Sequence, residues 1–149
     1  MKAITIILSL IFITLVSCDK DANDPNEVVL TRAEIPADIK TYLSTHFASI
    51  SVNKAVKETE NGVVSYEIYL NGNIELEFDS NFNVTDIAAK TQLPNAVIPP
   101  AILSYVEKNY PSQFITKWEL ELAHQQIELN NGVELEFTMN GDFLRVDTD

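Results

Sequence analysis

The chain has 149 residues, of which 22 are acidic and 10 are basic, so its formal net charge is −12. This charge argues against nucleic acid as a ligand, because phosphate binding needs a basic patch, and against electrostatic docking on anionic lipid. The chain has four glycines, with no phosphate-cradling loop and no Gly-x-Ser-x-Gly nucleophile motif. We therefore expect no catalytic residues and no cofactor.

The N-terminus has the form of a secretion signal. Lys2 precedes a mostly apolar stretch over positions 4–16, which is short for a membrane span. Positions 15–18 read Leu-Val-Ser-Cys and match the bacterial lipobox, in which the signal is cut before the cysteine and the cysteine is acylated. Cys18 is the only cysteine, so it has no intrachain disulfide partner. We predict a signal peptide over residues 1–17 and acyl chains on Cys18 that hold the protein to the membrane.

The alternatives are an ordinary signal peptide with a chance cysteine and an uncleaved anchor. The predicted location is the bacterial cell envelope, on the outer membrane, facing the periplasm or the cell surface. Residues 18–27 are polar and charged and are typical of a flexible tether. This acidic stretch resembles the surface-export signals of some Gram-negative lipoproteins, although any solvated linker would look the same. Residues 28–149 are predicted to form one domain with two repeats, at about 28–90 and 94–149.

The repeat is the main feature of this domain. Residues 35–87 and 98–147 share one pattern, at an offset of 63 positions at first and 59 further on. A repeat is one supersecondary unit used twice. Each copy opens at a proline, Pro36 or Pro99, and continues with apolar residues at helical spacing. The stripes that predict the two helices are Ile39, Tyr42, Leu43, His46 and Phe47 in the first copy, and Ile102, Tyr105, Val106, Asn109 and Tyr110 in the second.

Strands follow each helix, because period-two alternation is interrupted by Asn/Gly turns that are typical of hairpins. An early strand near positions 52–58 completes four strands per copy. In the second copy we expect Trp118, Leu120 and Leu122 to face the core. Since about fifty residues are marginal alone, the copies should share a sheet or pack together. The predicted fold class is α+β: a tandem repeat of a helix plus a four-stranded antiparallel meander, with the helices packed on one face of the sheet and the other face open to solvent.

This pattern resembles the PepSY-like, β-lactamase-inhibitor-like family of bacterial lipoproteins. The motifs that carry the resemblance lie at 35–39, 66–70 and 72–79. The second copy departs from them, with Thr138 after Glu-Phe and Gln125 where the first copy has Tyr66. The resemblance implies a fold like that of the β-lactamase inhibitor protein, which presents a concave sheet face to an enzyme. These are fold motifs, so no inhibitory contact can be carried over.

Carboxylates crowd the strand positions that we expect to face solvent: Glu67, Glu75, Glu77, Asp79, Glu119, Glu121, Glu128, Glu134 and Glu136. One interpretation is an acidic platform for a basic protein surface, with Glu75, Glu77, Glu134, Glu136 and the outward-facing Tyr69 as partner-binding residues. The other is a solvated face that keeps the protein soluble. We predict no metal site, because there is no Asp-x-Asp-x-Asp-Gly loop and His46 and His124 have no third ligand.

Two functions follow from this. The first is a lipid-anchored, non-enzymatic binding module, including an inhibitor of a secreted or periplasmic enzyme. The alternative is a structural or accessory envelope lipoprotein with no dedicated enzyme target. A small hydrolase or carbohydrate-binding protein is a third class, for which the sequence shows no motif.

Overall fold

A computed structural model describes residues 25–147 of the chain. The predicted signal peptide, the predicted lipidation at Cys18 and most of the predicted tether lie outside the described residues. The elements in chain order are β1 (Glu27–Val29), α1 (Ala37–His46), β2 (Val52–Glu60), β3 (Val63–Leu70), β4 (Ile74–Phe78), β5 (Val84–Ala89), a short 3-10 turn (Asn95–Val97), α2 (Pro100–Asn109), β6 (Ile115–Leu120), β7 (Gln125–Leu129), β8 (Glu134–Phe137) and β9 (Phe143–Asp147).

The nine strands form one antiparallel sheet in which every strand lies beside its neighbours in sequence. The predicted α+β class and the repeat of a helix plus a four-stranded meander are confirmed: α1 with β2–β5 is unit 1, and α2 with β6–β9 is unit 2. The units share the sheet through pairing of β5 with β6. The short strand β1 was not predicted. It begins at Glu27, the last residue of the predicted tether, and pairs with β2.

Prolines and turns set the limits of these elements. Pro36 and Pro99 immediately precede the two helices, and Pro100 takes the first position of α2, where a missing N–H group is tolerated. Gly141 shapes the β8–β9 turn with a φ of +86°. A Cβ atom there would lie 2.8 Å from the Cβ of Ala101 on α2, so glycine allows this turn to press against the helix.

The inner face of the sheet carries the core. Leu76, Ile87, Trp118, Ile127 and Leu135 lie directly opposite one another on β4 to β8. All five are buried, in the same cluster as the buried helix residues of α1 and α2. Burial of this apolar surface is the main force that holds the sheet and helices together.

An aromatic contact recurs in both units. In unit 1 the ring of Tyr42 on α1 meets Phe78 edge-on, with centroids 5.5 Å apart. In unit 2 Tyr105 on α2 meets Phe137 in the same way at 5.4 Å. Phe78 and Phe137 are both fully buried. The repeat seen in the sequence is therefore also a repeat of packing contacts.

The expected inward position of Leu122 is wrong. Strand β6 ends at Leu120, and Leu122 lies fully exposed in the β6–β7 turn. This turn is closed by a hydrogen bond from the Glu121 amide to the His124 carbonyl oxygen, 2.9 Å long. The period-two pattern continued by chance into the turn, where it no longer reports a strand.

Candidate partner-binding face

The outer face of the sheet bears a row of four carboxylates, which we call the carboxylate row. Glu67 on β3 lies opposite Glu77 on β4. Glu77 lies opposite Asp86 on β5, and Asp86 lies opposite Glu119 on β6. The row therefore crosses four adjacent strands and the junction between the units. Like charges that face each other directly across strands destabilise a sheet, so this arrangement requires compensation.

A second row on the same face has a different character. It runs from Tyr69 through Glu75, Ala88 and Lys117 to Glu128. Glu134 on β8 extends it opposite Glu128. Ala88 is the smallest residue of this mixed row and lies at the junction of the units. The surface therefore dips at Ala88, where two hollows share their lining.

Lys117 neutralises one end of the carboxylate row. Its ammonium nitrogen lies 3.1 Å from Asp86 Oδ2 and 2.6 Å from Glu119 Oε2. Burial alone would lower the pKa of Lys117, but the hydrogen bond to Glu119 and the charge of Asp86 raise it overall. Lys117 therefore stays protonated in the folded protein near neutral pH.

The other end of the row is held by a phenol. Tyr69 Oη donates a hydrogen bond of 2.6 Å to Glu67 Oε2. Burial and this hydrogen bond raise the pKa of Tyr69, so its proton is retained. The Lys54 ammonium lies 5.6 Å from the centre of the same ring. Tyr69 is thus fixed in place between a carboxylate and a cation.

The middle of the row keeps part of its charge uncompensated. Burial, followed by the charge of Asp86, raises the pKa of Glu77 to about 7. Burial also raises the pKa of Asp86 to about 6, although Lys117 opposes that change. The carboxylate row therefore gains negative charge between about pH 6 and pH 7, where carboxyl groups with ordinary pKa values have already ionised.

The predicted partner-binding residues do not all lie together. Tyr69, Glu75 and Glu77 are on the outer face in unit 1. Glu134 is on the outer face in unit 2, where it accepts a 2.7 Å hydrogen bond from Gln126. Burial and then the charge of Glu128 raise the pKa of Glu134. The prediction that these residues bind a partner remains a prediction.

The sequence predicted that Glu136 faces solvent, and this prediction is wrong. Its side chain is buried, and its Oε1 lies 2.6 Å from Arg145 Nη2 on β9 and 3.9 Å from His124 Nε2. Alternation gave the correct face, but it could not show that Arg145 from the neighbouring strand covers the carboxylate.

Sequence reasoning missed Asp86, Ala88 and Lys117 as members of the outer face. The one available signal was the matching of Lys54 and Lys117 at the offset of 63 positions. The expectation for Trp118 is confirmed, since its side chain is buried. Its indole nitrogen donates to Gln125 Oε1 at 3.0 Å, and Gln125 Nε2 donates to the carbonyl oxygens of Thr138 and Met139.

Within residues 25–147, no group of three or more histidine, cysteine or acidic side chains could hold a metal ion. Asp79 Oδ1 instead accepts hydrogen bonds from the Asn81 and Asn83 amides and so closes a hairpin turn. His46 packs against the Tyr42 ring on α1. None of the helices described in the structure is long and apolar enough to span a membrane.

Similar proteins agree with this architecture. A Bacteroides vulgatus protein, described as "a putative periplasmic protein from DUF2874 family", shares 29% identity and a TM-score of 0.78, over 85% of this chain and all of its own. A Bacteroides thetaiotaomicron protein, described as "a putative calcium-regulated periplasmic protein", shares 28% identity and a TM-score of 0.77, over 82% of this chain and 97% of its own. A second Bacteroides vulgatus protein, described as "a putative periplasmic protein of unknown function", shares 29% identity and a TM-score of 0.76, over 83% of this chain and all of its own.

No functionally curated protein shows significant similarity to this chain. A family model matches it twice, at residues 24–86 and again at 85–145. The two matches together cover both units, as the resemblance in the sequence implied. The chain therefore belongs to the PepSY-like family, which is described as "Putative beta-lactamase-inhibitor-like, PepSY-like".

Proposed function

We propose that this protein is a non-catalytic binding module of the bacterial cell envelope, and that its outer sheet face takes up a basic surface of a secreted or periplasmic protein. The carboxylate row is the observation that carries this proposal. Four carboxylates on adjacent strands oppose each other at a cost to stability. A purely solvated face would be better served by alternating charges, such as those in the mixed row.

The placement of the helices supports the choice of face. Tyr42 and Tyr105 bring α1 and α2 against Phe78 and Phe137. The strand pairing places Leu76 and Leu135 on the inner face of the sheet. Phe78 and Phe137 lie two residues further along the same strands and therefore on the same face. We infer that both helices cover the inner face. The outer face is then free for a partner.

The chemistry of the face suggests the kind of partner. Opposite charges steer association and make it sensitive to salt, so the carboxylate row favours a surface rich in lysine or arginine. The hollow at Ala88 gives such a surface a place to insert one side chain, beside the ring of Tyr69. A centrally placed anchor of this kind is typical of protein interfaces. The family description points to enzymes as one class of target. We therefore include in this proposal that the protein inhibits the enzyme it binds.

The envelope location rests on two observations. The similar proteins from Bacteroides are described as periplasmic. The lipobox at positions 15–18 adds an anchor, which would hold the module at a membrane by acylation of Cys18. Because the net charge of the whole chain is −12, the protein gains little from anionic lipid, so the acyl chains would provide the attachment.

Capture from an envelope extract tests the proposal. The bait pair is the parent protein and a variant with Glu75→Gln and Glu77→Gln, which keeps side-chain size and replaces two outer carboxyl groups, and capture is run at about pH 8 so that Glu77 of the parent is mostly ionised. The matched control carries Asp38→Asn and Glu107→Gln, which remove two exposed charges from α1 and α2. We expect one stoichiometric partner, which the outer-face variant captures less well than the parent does. This difference between the two baits should be larger at low salt than at high salt. Equal capture by all three baits at both salt concentrations would contradict the proposal.

A further inference from the structure

Each unit contains a pocket, and the two pockets are at equivalent positions. The pocket of unit 1 lies between α1 and the start of β2 and is lined by Arg32, Ile35, Lys40, Leu43, Ile50 and Val52. The residues 63 positions later are Asn95, Ile98, Leu103, Val106, Gln113 and Ile115, and all of them line the pocket of unit 2. Ser51 and Phe114 complete the correspondence. The fold therefore builds the same cavity twice.

The floors of the two pockets match, but their rims do not. Ile35 and Leu43 in unit 1 correspond to Ile98 and Val106 in unit 2, and all four side chains are buried. At the rim, Lys40 is replaced by Leu103 and Arg32 by Asn95. Phe114 stands where unit 1 has Ser51. The cavity volume is about 330 Å³ in unit 1 and about 150 Å³ in unit 2.

Neither cation at the rim of the unit 1 pocket has an acidic partner among residues 25–147, although acidic residues outnumber basic ones in the chain. Arg32 Nη2 donates to the Val52 carbonyl oxygen at 3.2 Å, and Lys40 Nζ donates to the Ala33 carbonyl oxygen at 2.8 Å. The nearby Glu34 carboxylate is instead taken up by the backbone and hydroxyl of Thr31. Both cations are thus held at the rim with their charge unmatched.

We propose that the unit 1 pocket binds a small aliphatic carboxylate. The carboxylate group would lie between Arg32 and Lys40, and the alkyl chain would lie on Ile35, Leu43 and Ile50. An apolar floor with a few polar groups at the rim is the usual form of a small-molecule site, and the volume is at the lower end of the usual range. In unit 2 the pocket is smaller, has Phe114 in place of Ser51 and lacks both cations, so it serves as an internal control.

Hexanoate is a suitable probe, followed by the amide shifts of the purified protein in NMR titration. We expect saturable shifts around Ile35, Leu43 and Ile50, and none of this kind around Ile98 and Val106. Hexylamine has the same chain with the opposite charge and should not bind. Binding that is equal for hexanoate and hexylamine would overturn the proposal, as would no shift up to the solubility limit of the acid.

Variants test the roles of the two cations. Arg32→Gln and Lys40→Gln should each weaken hexanoate binding about tenfold, because each removes a charge-assisted hydrogen bond. Lys57→Gln and Lys108→Gln remove the same charge elsewhere and should leave the affinity unchanged. Transfer of the site to unit 2, with Asn95→Arg, Leu103→Lys and Phe114→Ser, should create a second site, and thermal unfolding shows whether that variant is folded.

Anionic vesicles separate a free carboxylate from a membrane surface. We expect Arg32→Gln to leave the weak binding of the protein to vesicles of phosphatidylglycerol and phosphatidylcholine unchanged. Vesicle binding that depends on Arg32 and Lys40, with no hexanoate binding, would overturn the proposal and make this rim a lipid contact. Affinities for hexanoate that are unchanged in both cation variants would also overturn it.

Discussion

Lys117 on β6 places its ammonium nitrogen 3.1 Å from Asp86 Oδ2 on β5 and so joins the two units by an ion pair. These strands are the only link between the two halves of the described sheet. Asp86 is largely buried, with 13% of its side chain exposed, and Lys117 also holds Glu119 at 2.6 Å. One lysine thus stabilises the carboxylate row at the point where the units meet.

Replacement of Lys117 by methionine should weaken the fold in a pH-dependent way. The variant leaves Asp86 and Glu119 facing each other without a counter-charge. We expect the free energy of unfolding to fall by about 1–3 kcal/mol near pH 8. The loss should be smaller near pH 5, because protonation of Asp86 removes the repulsion. Urea unfolding at about pH 5 and about pH 8 measures the two losses, and Lys108→Met is the exposed control. An equal loss of stability at the two pH values would show that Lys117 acts by packing alone.

Acidification should stabilise the parent protein. The pKa of Glu77 is raised to about 7 and that of Asp86 to about 6, so the folded state binds protons more tightly than the unfolded state. Above these pKa values the folded state bears the cost of burying both charges, together with the repulsion between them. Stability is gained as the pH falls through about 7 and 6, and the gain is complete below the ordinary carboxyl pKa near 4.

Thermal unfolding between about pH 5 and pH 8 tests this slope. Glu77→Gln removes a carboxyl group whose pKa is raised to about 7, so this variant should melt higher than the parent near pH 8 and show a flatter pH dependence. Glu107→Gln, on the exposed side of α2, should reproduce the parent curve. A parent midpoint that rises with pH across this range would contradict the assignment of repulsion to the carboxylate row.

Local patterns predicted most of the fold. Helical stripes such as Ile102 and Val106 identified the helices, and Asn/Gly turns identified the hairpins, because these signals depend on residues close in sequence. The failures involve contacts between distant residues. The burial of Glu136 depends on Arg145 of the next strand, and the pairing of Asp86 with Lys117 depends on the register between units. The carboxylate row is a product of cross-strand register, which alternation in one strand does not determine.

Gln125 should be a stability residue of unit 2. It is buried, accepts a hydrogen bond from the Trp118 indole and donates to the carbonyl oxygens of Thr138 and Met139. Gln125→Ala removes the hydrogen-bond partner of the Trp118 indole and of the Met139 carbonyl oxygen, while the Thr138 carbonyl oxygen keeps its bond from the Gly141 amide. We expect the free energy of unfolding to fall by about 1–3 kcal/mol. Trp118 is the only tryptophan, so its fluorescence reports the change directly. Gln92→Ala, at an exposed position, is the control, and an equal effect of the two substitutions would refute this role.

Acylation of Cys18 should determine membrane attachment. In cells that process lipoproteins, Cys18→Ala should leave the protein either as an uncleaved precursor or in the soluble fraction. Fractionation and migration on a gel distinguish these states, and Ser17→Ala keeps the cysteine as a control. Identical fractionation and migration of Cys18→Ala and the parent would show that the lipobox interpretation is wrong.

The central claim is that the outer sheet face, at the junction of the units, is the working surface. A photo-crosslinking amino acid at Ala88 tests it directly, because this position lies in the hollow of the mixed row and its replacement removes no charge. The same group at Ser104, exposed on α2, is the control. We predict that irradiation in cells gives a discrete crosslinked protein partner from position 88 and none from position 104, and that Glu75→Gln with Glu77→Gln reduces its yield. A partner crosslinked from position 104 and not from position 88 would contradict this account.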